Sequence, residues 1–408
     1  MDFLPILATL KRHKTAAGLI VLQVALTSAI VCNALFLITQ RVERMNQPSG
    51  MAESEIVVLR VTGLSRSQDP DTSSRADLQA MRGLPHVKSA AVLNQIHYNN
   101  NNSDSGIRLK PEPPGPGESA IVASSYMGSE GWLQSMGLKL IAGRDFAMDE
   151  FQDLTVFDKL EPPTMPSVII NQNLAERLFG AESAVGKSVY LYGPQPVQVV
   201  GVVETLLAPL PGGTGDANRF SMVYPVRPNF RSGVYVLRVE PDQRDAVLTA
   251  AASIIEKNDP QRVVRQKLLF SDMRETYYRQ DLSMVWLLGG VCMALLAVTA
   301  FGIVGLASFW VQQRTRMIGT RRAMGATRGQ ILRYFQTENF LLTSMGIVVG
   351  AIGAYGISLM LMRNYELPRL PLAYVMASAA ALWVLGQIAV LAPARRAAAL
   401  APVAALRA

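Results

Sequence analysis

Cysteine is nearly missing from this chain. Cys32 and Cys292 are the only two, and both lie inside long stretches without charge. This excludes a disulfide framework or a cysteine-based metal site in the middle of the chain. Histidine is as sparse, with His13, His86 and His97, and no metal-ligand spacing occurs. No G-x-S-x-G element offers a nucleophile elbow. No catalytic residue and no metal site is therefore expected. One phosphate-loop look-alike, Ala181-Glu182-Ser183-Ala184-Val185-Gly186-Lys187-Ser188, has alanine where a strict loop has its first glycine. A working loop also follows a strand and opens a helix at its Lys-Ser. Here a helical segment precedes it and Ser188–Leu191 reads as a strand, so no ATP site is expected on this chain.

Charge is missing in blocks. Of the 408 residues 17% are charged, yet Thr15–Thr39, Met284–Trp310, Phe340–Met362 and Leu372–Leu391 contain no Asp, Glu, Lys or Arg. Each is long enough to cross a hydrocarbon core of roughly 30 Å as a helix rising about 1.5 Å per residue. The first run is too long for a signal-peptide core and is followed by no A-x-A site, so it reads as an uncleaved anchor. The fold class is thus a membrane protein with four transmembrane helices and a two-lobed α+β extracytoplasmic domain between helices 1 and 2.

Acidic residues are missing from Val311–Gln336, which carries Arg314, Arg316, Arg321, Arg322, Arg328 and Arg333. Lys11, Arg12 and Lys14 precede the first span, and Arg395, Arg396 and Arg407 follow the last. Basic loops stay in the cytoplasm. The expected layout is a cytoplasmic flank 1–14, helix 1 at 15–39, an outer domain with stalk ends at 40–282 and helix 2 at 283–310. A cytoplasmic loop 311–338, helix 3 at 339–363, an outer link 364–371, helix 4 at 372–391 and a cytoplasmic tail 392–408 follow. The net charge of +8 is explained by these flanks, and no nucleic-acid partner is expected.

In the outer domain, Glu55–Val61, Val87–Ile96, Ser119–Ser125, Ser167–Ile170, Gln198–Val203, Met222–Val226 and Val234–Val239 read as strands. Arg75–Arg82, Gln172–Phe179 (capped by Asn171) and Asp242–Lys257 read as helices. Asn99–Asn102, Pro111–Gly117 and Pro209–Gly215 read as loops. Trp132 is expected in the core. Ser271–Leu282 contains neither Pro nor Gly, so one helix is expected to run from there into the second span. The first span is likewise expected to continue through Gln40–Asn46. Gly346, Gly350 and Ala354, spaced by four, would let helix 3 pack closely on a neighbour.

Gln313–Gln336 carries more signal than a basic flank needs. A helical segment runs to Met324 and breaks at Gly325, and Thr327 with Gln330 fits a capping box that opens a second helix. Ile318, Met324, Ile331, Leu332 and Phe335 give the element an apolar side, which must lie on lipid or on a protein partner. Arg314–Gln336 resembles the signature of the MacB/FtsX-like permeases of ABC transporters, near R-T-R-E-I-G-I-R-R-A-L-G-A-T-R-R-D-I-L. The matching residues are Arg314, Thr315, Arg316, Ile318, Gly319, Arg321, Arg322, Ala323, Gly325, Ala326, Thr327, Ile331 and Leu332. The tail motifs Pro393–Ala398 and Pro402–Arg407 and the outer-domain motifs Met136-Gly137-Leu138, Ala142–Phe146, Leu178-Phe179-Gly180 and Val185-Gly186-Lys187 also resemble that family. Met317 stands where the family usually has Glu.

The resemblance implies a bacterial inner-membrane, multi-pass permease with both termini cytoplasmic and a periplasmic core domain. It implies pairing with a second permease, as homodimer or related heterodimer, and with a cytoplasmic ATPase dimer that binds ATP and Mg. No cofactor is implied on this chain. Members often work with a periplasmic adaptor and an outer-membrane duct, and their movement drives export of substrate taken from outside. Lipoprotein release and control of cell-wall hydrolases are the alternatives within the resemblance. It places Arg314, Arg316, Met317, Ile318, Arg321, Arg322, Met324, Gly325, Thr327 and Ile331 at the ATPase contact. Arg321 and Arg322 would supply polar contacts, Gly325 the turn, and Ile318, Met324 and Ile331 the filling of an apolar cleft.

Overall fold

A computed structural model describes residues 14–63, 69–99, 102–112, 120–210, 216–365 and 369–399. Lys11, Arg12, His13, Asn100, Asn101, most of Pro111–Gly117 and Pro209–Gly215, part of the link 364–371 and the tail motif Pro402–Arg407 lie outside them. The chain divides into two compact units, 1–45 with 280–408 and 46–279.

In the α+β unit the chain first forms β1 (Ile56–Gly63), α2 (Pro70–Arg82) and β2 (Val87–Leu93), α1 being Lys14–Met45 of the other unit. Asp69 starts α2 by accepting from the Asp71 N–H, with Pro70 in the first turn. After an insertion come β12 (Val234–Val239), α4 (Arg244–Asn258) and β13 (Arg262–Leu269). The antiparallel sheet has the order β13-β1-β12-β2. This is a β-α-β-β-α-β lobe whose second and third strands are separated by the whole insertion. Val57, Leu59, Tyr235, Leu237 and Val92 meet Leu78, Met81, Leu248, Ala251 and Ile255 from α2 and α4 in one core. Inside this lobe the buried Asp77 carboxylate receives the Tyr235 hydroxyl (2.6 Å), Asn258 Nδ2 (2.9 Å) and the Arg262 guanidinium.

The insertion forms the second lobe. Its strands are β3 (Asp104–Ile107), β4 (Ile121–Met127), β5 (Leu140–Gly143), β6 (Gln152–Asp153), β7 (Ser167–Asn171), β8 (Ser188–Tyr190), β9 (Pro196–Val203), β10 (Ser221–Tyr224) and β11 (Val226–Arg227). Among the described residues the main sheet runs β3-β4-β10-β7-β9-β5, with β8 on β9. Between β7 and β8 lies α3 (Gln172–Phe179), capped by Asn171 Oδ1 accepting from the Leu174 N–H at 3.1 Å. Ala181–Ser188 therefore follows a helix and opens strand β8, the opposite of a phosphate loop. Lys187 pairs with Glu182.

Arg75 of the first lobe pairs with Asp153 of the insertion (2.6 Å), and within the insertion Arg227 holds both Glu130 (2.6 Å) and Asp153 (3.4 Å). His97 also ties the crossover segments, its Nε2 lying 2.7 Å from the Leu207 carbonyl, which accepts from Tyr126 Oη as well. Trp132 is fully buried and belongs to the core.

The helical unit contains α1, the greater part of α5 (Phe270–Gln313), α6 (Thr315–Ala323), α7 (Arg328–Tyr365) and α8 (Leu372–Ala399). Four of these, α1, α5, α7 and α8, are long and apolar enough to cross a membrane. Helix α5 is continuous from Phe270, and α1 continues to Met45. Gly346 and Gly350 face α1: a Cβ on Gly350 would lie 2.6 Å from the Ala25 carbonyl oxygen, and one on Gly346 2.7 Å from Val24 Cβ. Ala354 is fully buried on the same side, and Asn33 Nδ2 donates to its carbonyl at 3.2 Å. This is close small-residue packing in lipid. Thr27 and Thr299 hydroxyls join α1 to α5 at 2.7 Å, and the buried Asp281 carboxylate of α5 receives both Arg41 and Arg44 of α1.

Candidate functional site

The arginine-rich stretch is a folded knuckle. Helix α5 stops at Gln313 and α6 begins at Thr315, with Arg314 alone between them. The Thr315 hydroxyl donates to the carbonyls of Val311 (3.1 Å) and Gln312 (2.8 Å), so it covers acceptors that the bend exposes. Helix α6 closes at Met324. Gly325 takes φ +96°, its N–H donates to the Arg322 carbonyl (3.1 Å), and the Ala326 N–H donates to the Arg321 carbonyl (3.0 Å). This pair of bonds is a Schellman closure, which favours glycine at that φ. Thr327 then caps α7. Its N–H meets Gln330 Oε1 at 2.9 Å, and the Gln330 N–H meets its hydroxyl at 3.3 Å.

The knuckle has a buried and an open side. Ile318, Ile331 and Phe335 pack with Val311 and with Ala394, Ala397 and Ala398 of α8. Their burial corrects one expectation: Ile318 and Ile331 fill the chain's own core and are not open to a partner's cleft, because α8 continues helically through Pro393 to Ala399 and covers them. Arg314 is likewise internal. Its Nη1 donates to both Glu338 oxygens at 3.0 and 2.8 Å, with both side chains buried, and its guanidinium stands 5.5 Å from the Trp310 ring centre. The sequence reading passed over Glu338 and Trp310. The available signal was an acid at the edge of an uncharged span, close to six arginines.

The open side presents Arg316, Met317, Thr320, Met324, Gly325, Thr327, Arg328, Gln330 and Arg333. Met324 is 75% exposed. Arg321 is half-buried and lies 5.0 Å over the Tyr334 ring, which fixes its guanidinium. Arg322 is half-buried with its Nε unpartnered. Arg321, Arg322, Arg328 and Arg333 make no ion pair among the described residues. The result is an acid-free cationic surface from which Met324 protrudes, with Met317 partly exposed beside it.

Residues 20–263 match the MacB-like periplasmic core domain and residues 290–402 the FtsX-like permease C-terminal model. The chain belongs to the MacB/FtsX-like permease family. It is 26% identical over 233 residues to the ABC transporter permease YknZ of Bacillus subtilis (strain 168), covering 56% of this chain and 55% of that protein. It is 24% identical over 372 residues to the macrolide export ATP-binding/permease protein MacB of Acinetobacter baylyi, covering 88% of this chain and 52% of that one. With the pyoverdine export ATP-binding/permease protein PvdT of Pseudomonas aeruginosa it shares 27% over 254 residues, 58% of this chain and 36% of that one. The chain thus spans about a third to a half of the length of the curated relatives it matches. The extracellular domain of YknZ from Gram-positive bacteria aligns with 52% of this chain and 100% of that domain at 20% identity and a TM-score of 0.32. The periplasmic region of MacB from Actinobacillus actinomycetemcomitans aligns with 57% of this chain and 97% of that region at 14% identity and a TM-score of 0.34. This permease is a membrane protein, and its α+β unit is its extracellular domain.

Proposed function

We propose that the chain is the membrane-spanning half of an ABC exporter and that the open side of the knuckle seats an ATPase carried on a separate chain. The observation that carries this reading is the acid-free cationic surface from Arg316 to Arg333 with Met324 projecting from it. Lipid headgroups alone would need charge there, but they would need neither the Schellman closure nor the capping box that fix its shape. A half-buried guanidinium without a counter-charge, such as Arg322, favours an acidic partner surface. Met324 is a flexible apolar knob suited to a partner's cleft. Met317, 37% exposed, offers a thioether where the family pattern that the stretch resembles has Glu, so the partner surface opposite it is apolar or acidic.

On this reading the arginines hold the knuckle and both termini in the cytoplasm of a bacterial inner membrane. ATP binds to the partner with Mg, and closing of an ATPase dimer pushes two paired permeases. Movement of α6 passes to α5 and α1, which Asp281 clamps together at their far ends. The extracellular domains then act on substrate outside, alone or with a periplasmic adaptor and outer duct. Coupling of this kind requires that the ATPase contact the two states of α6 differently.

A photocrosslinking residue at Met324, in the chain co-expressed with its candidate ABC ATPase, tests the seat. The expected result is an ATPase adduct from position 324 and none from the buried position 331. Co-purification of the two proteins with no adduct from 317, 324 or 328 would place the ATPase elsewhere.

A further inference from the structure

We propose that Arg314 and Glu338 form a positioning latch that holds the bend between α5 and α6, so that α6 moves with α7 as one body. This rests on the reading of α6 as the ATPase-facing element. A single residue, Arg314, separates two helices, and the N–H groups of Arg314 and Ile318 still reach the carbonyls of Trp310 (3.1 Å) and Arg314 (2.9 Å). Straight continuation of α5 through Thr315 is therefore a near competitor of the observed bend. Two features oppose it: the Thr315 hydroxyl, which caps only the adjoining last-turn carbonyls of α5, and the Arg314–Glu338 pair, which reaches across to α7.

A buried ion pair is weak evidence for stability, since apolar residues of like volume hold helices as firmly. What it adds is register: either charge left alone in this buried place is strongly disfavoured, so the bend angle is fixed wherever the two can meet. The surroundings agree with a joint more than with a packed core. Arg314 Nη2, Trp310 Nε1, Asn339 Nδ2 and Thr343 Oγ1 are buried and unpartnered. A cavity of about 10 Å³, lined by Trp310, Phe335, Glu338 and Asn339 together with Ile20 and Ile303, adjoins the pair. That is room for one water among polar atoms that need one. The straightened state loses the contact of Ile318 with Ala394 and Ala397 and withdraws Met324 from its place.

The test is the distance between spin labels at Ala323→Cys in α6 and Val349→Cys in α7, both exposed, with Cys32 and Cys292 replaced by alanine in the full chain in nanodiscs. The latch predicts one narrow distribution for the otherwise unchanged chain and a second population in Glu338→Gln. Arg314→Lys, which keeps the charge but replaces the planar guanidinium by a differently placed ammonium, is the second variant should Glu338→Gln not fold, and it is expected to broaden the distribution too. A folded variant with the unchanged narrow distribution would overturn the latch, because a merely structural pair lowers the melting temperature without moving the labels. These measurements use no ATPase. If no ATPase ever binds the knuckle, the functional reading fails while the latch still stands or falls on the distances.

Discussion

His97 gives the extracellular domain a definite pH dependence. The ring is fully buried between the lobes, with Nε2 on the Leu207 carbonyl and Nδ1 2.7 Å from Met51 Sδ. Tyr98, Tyr126 and Phe270 surround it, and Glu53 is the charged group that acts on it. Burial lowers its pKa from 6.5 to about 4, outweighing the Leu207 carbonyl and Glu53, which favour the protonated ring. The folded domain therefore holds His97 neutral, while the unfolded chain takes up a proton near pH 6.5. Stability from this group is complete above the unfolded value and is lost as pH falls from there through the folded value. At 1.36 kcal/mol per unit, the loss between about pH 7.5 and about pH 5 is about 2 kcal/mol, reaching about 3 kcal/mol near pH 3. Hydrogen exchange of the β2 amides in the full chain, corrected for intrinsic rates, reads the opening free energy at each pH. In His97→Gln, whose amide can still donate to Leu207, the difference from the unchanged chain should shrink by about 2 kcal/mol over that range. Parallel curves for the two proteins would refute the argument, since every other titrating group is common to both.

Two further outcomes follow from the packing. Gly350→Leu should destabilise the helical unit by about 3 kcal/mol or more, since its Cβ meets the Ala25 carbonyl oxygen, whereas Gly356→Leu, with nothing within 4 Å, should be near neutral. Thermal unfolding in detergent separates the two. Asp77→Ala should cost about 3–5 kcal/mol by leaving the buried Arg262 guanidinium with only Asp259, at 3.3 Å, whereas Glu182→Ala at the exposed Lys187 pair should be near neutral. Limited proteolysis of the extracellular domain checks the ranking.

Much of the membrane part was legible because absence of charge over twenty or more residues has few other causes. Local chemistry was legible as well: the Thr327–Gln330 box, the Asn171 cap and the Gly325 turn each depend on residues a few positions apart. What escaped were choices made by distant partners. Ile318 and Met324 look alike on a helical wheel, and only the return of α8 to Ala394, Ala397 and Ala398 buries one and leaves the other open. Arg314 looked like five other arginines until Glu338, 24 residues on, singled it out. The order β13-β1-β12-β2 was hidden for the same reason, since its middle strands are separated by an entire inserted lobe.

The central claim is that the cationic knuckle carries the ATPase contact. It is tested most directly by the ATPase rate of the candidate partner co-purified with this chain in lipid nanodiscs, with and without Arg321→Glu/Arg322→Glu. Reversing two charges that make no ion pair among the described residues should lower association or activity about tenfold or more, while the helical unit stays folded. A folded double variant with full association and full activity would make Arg321 and Arg322 charges of the membrane surface and contradict the account.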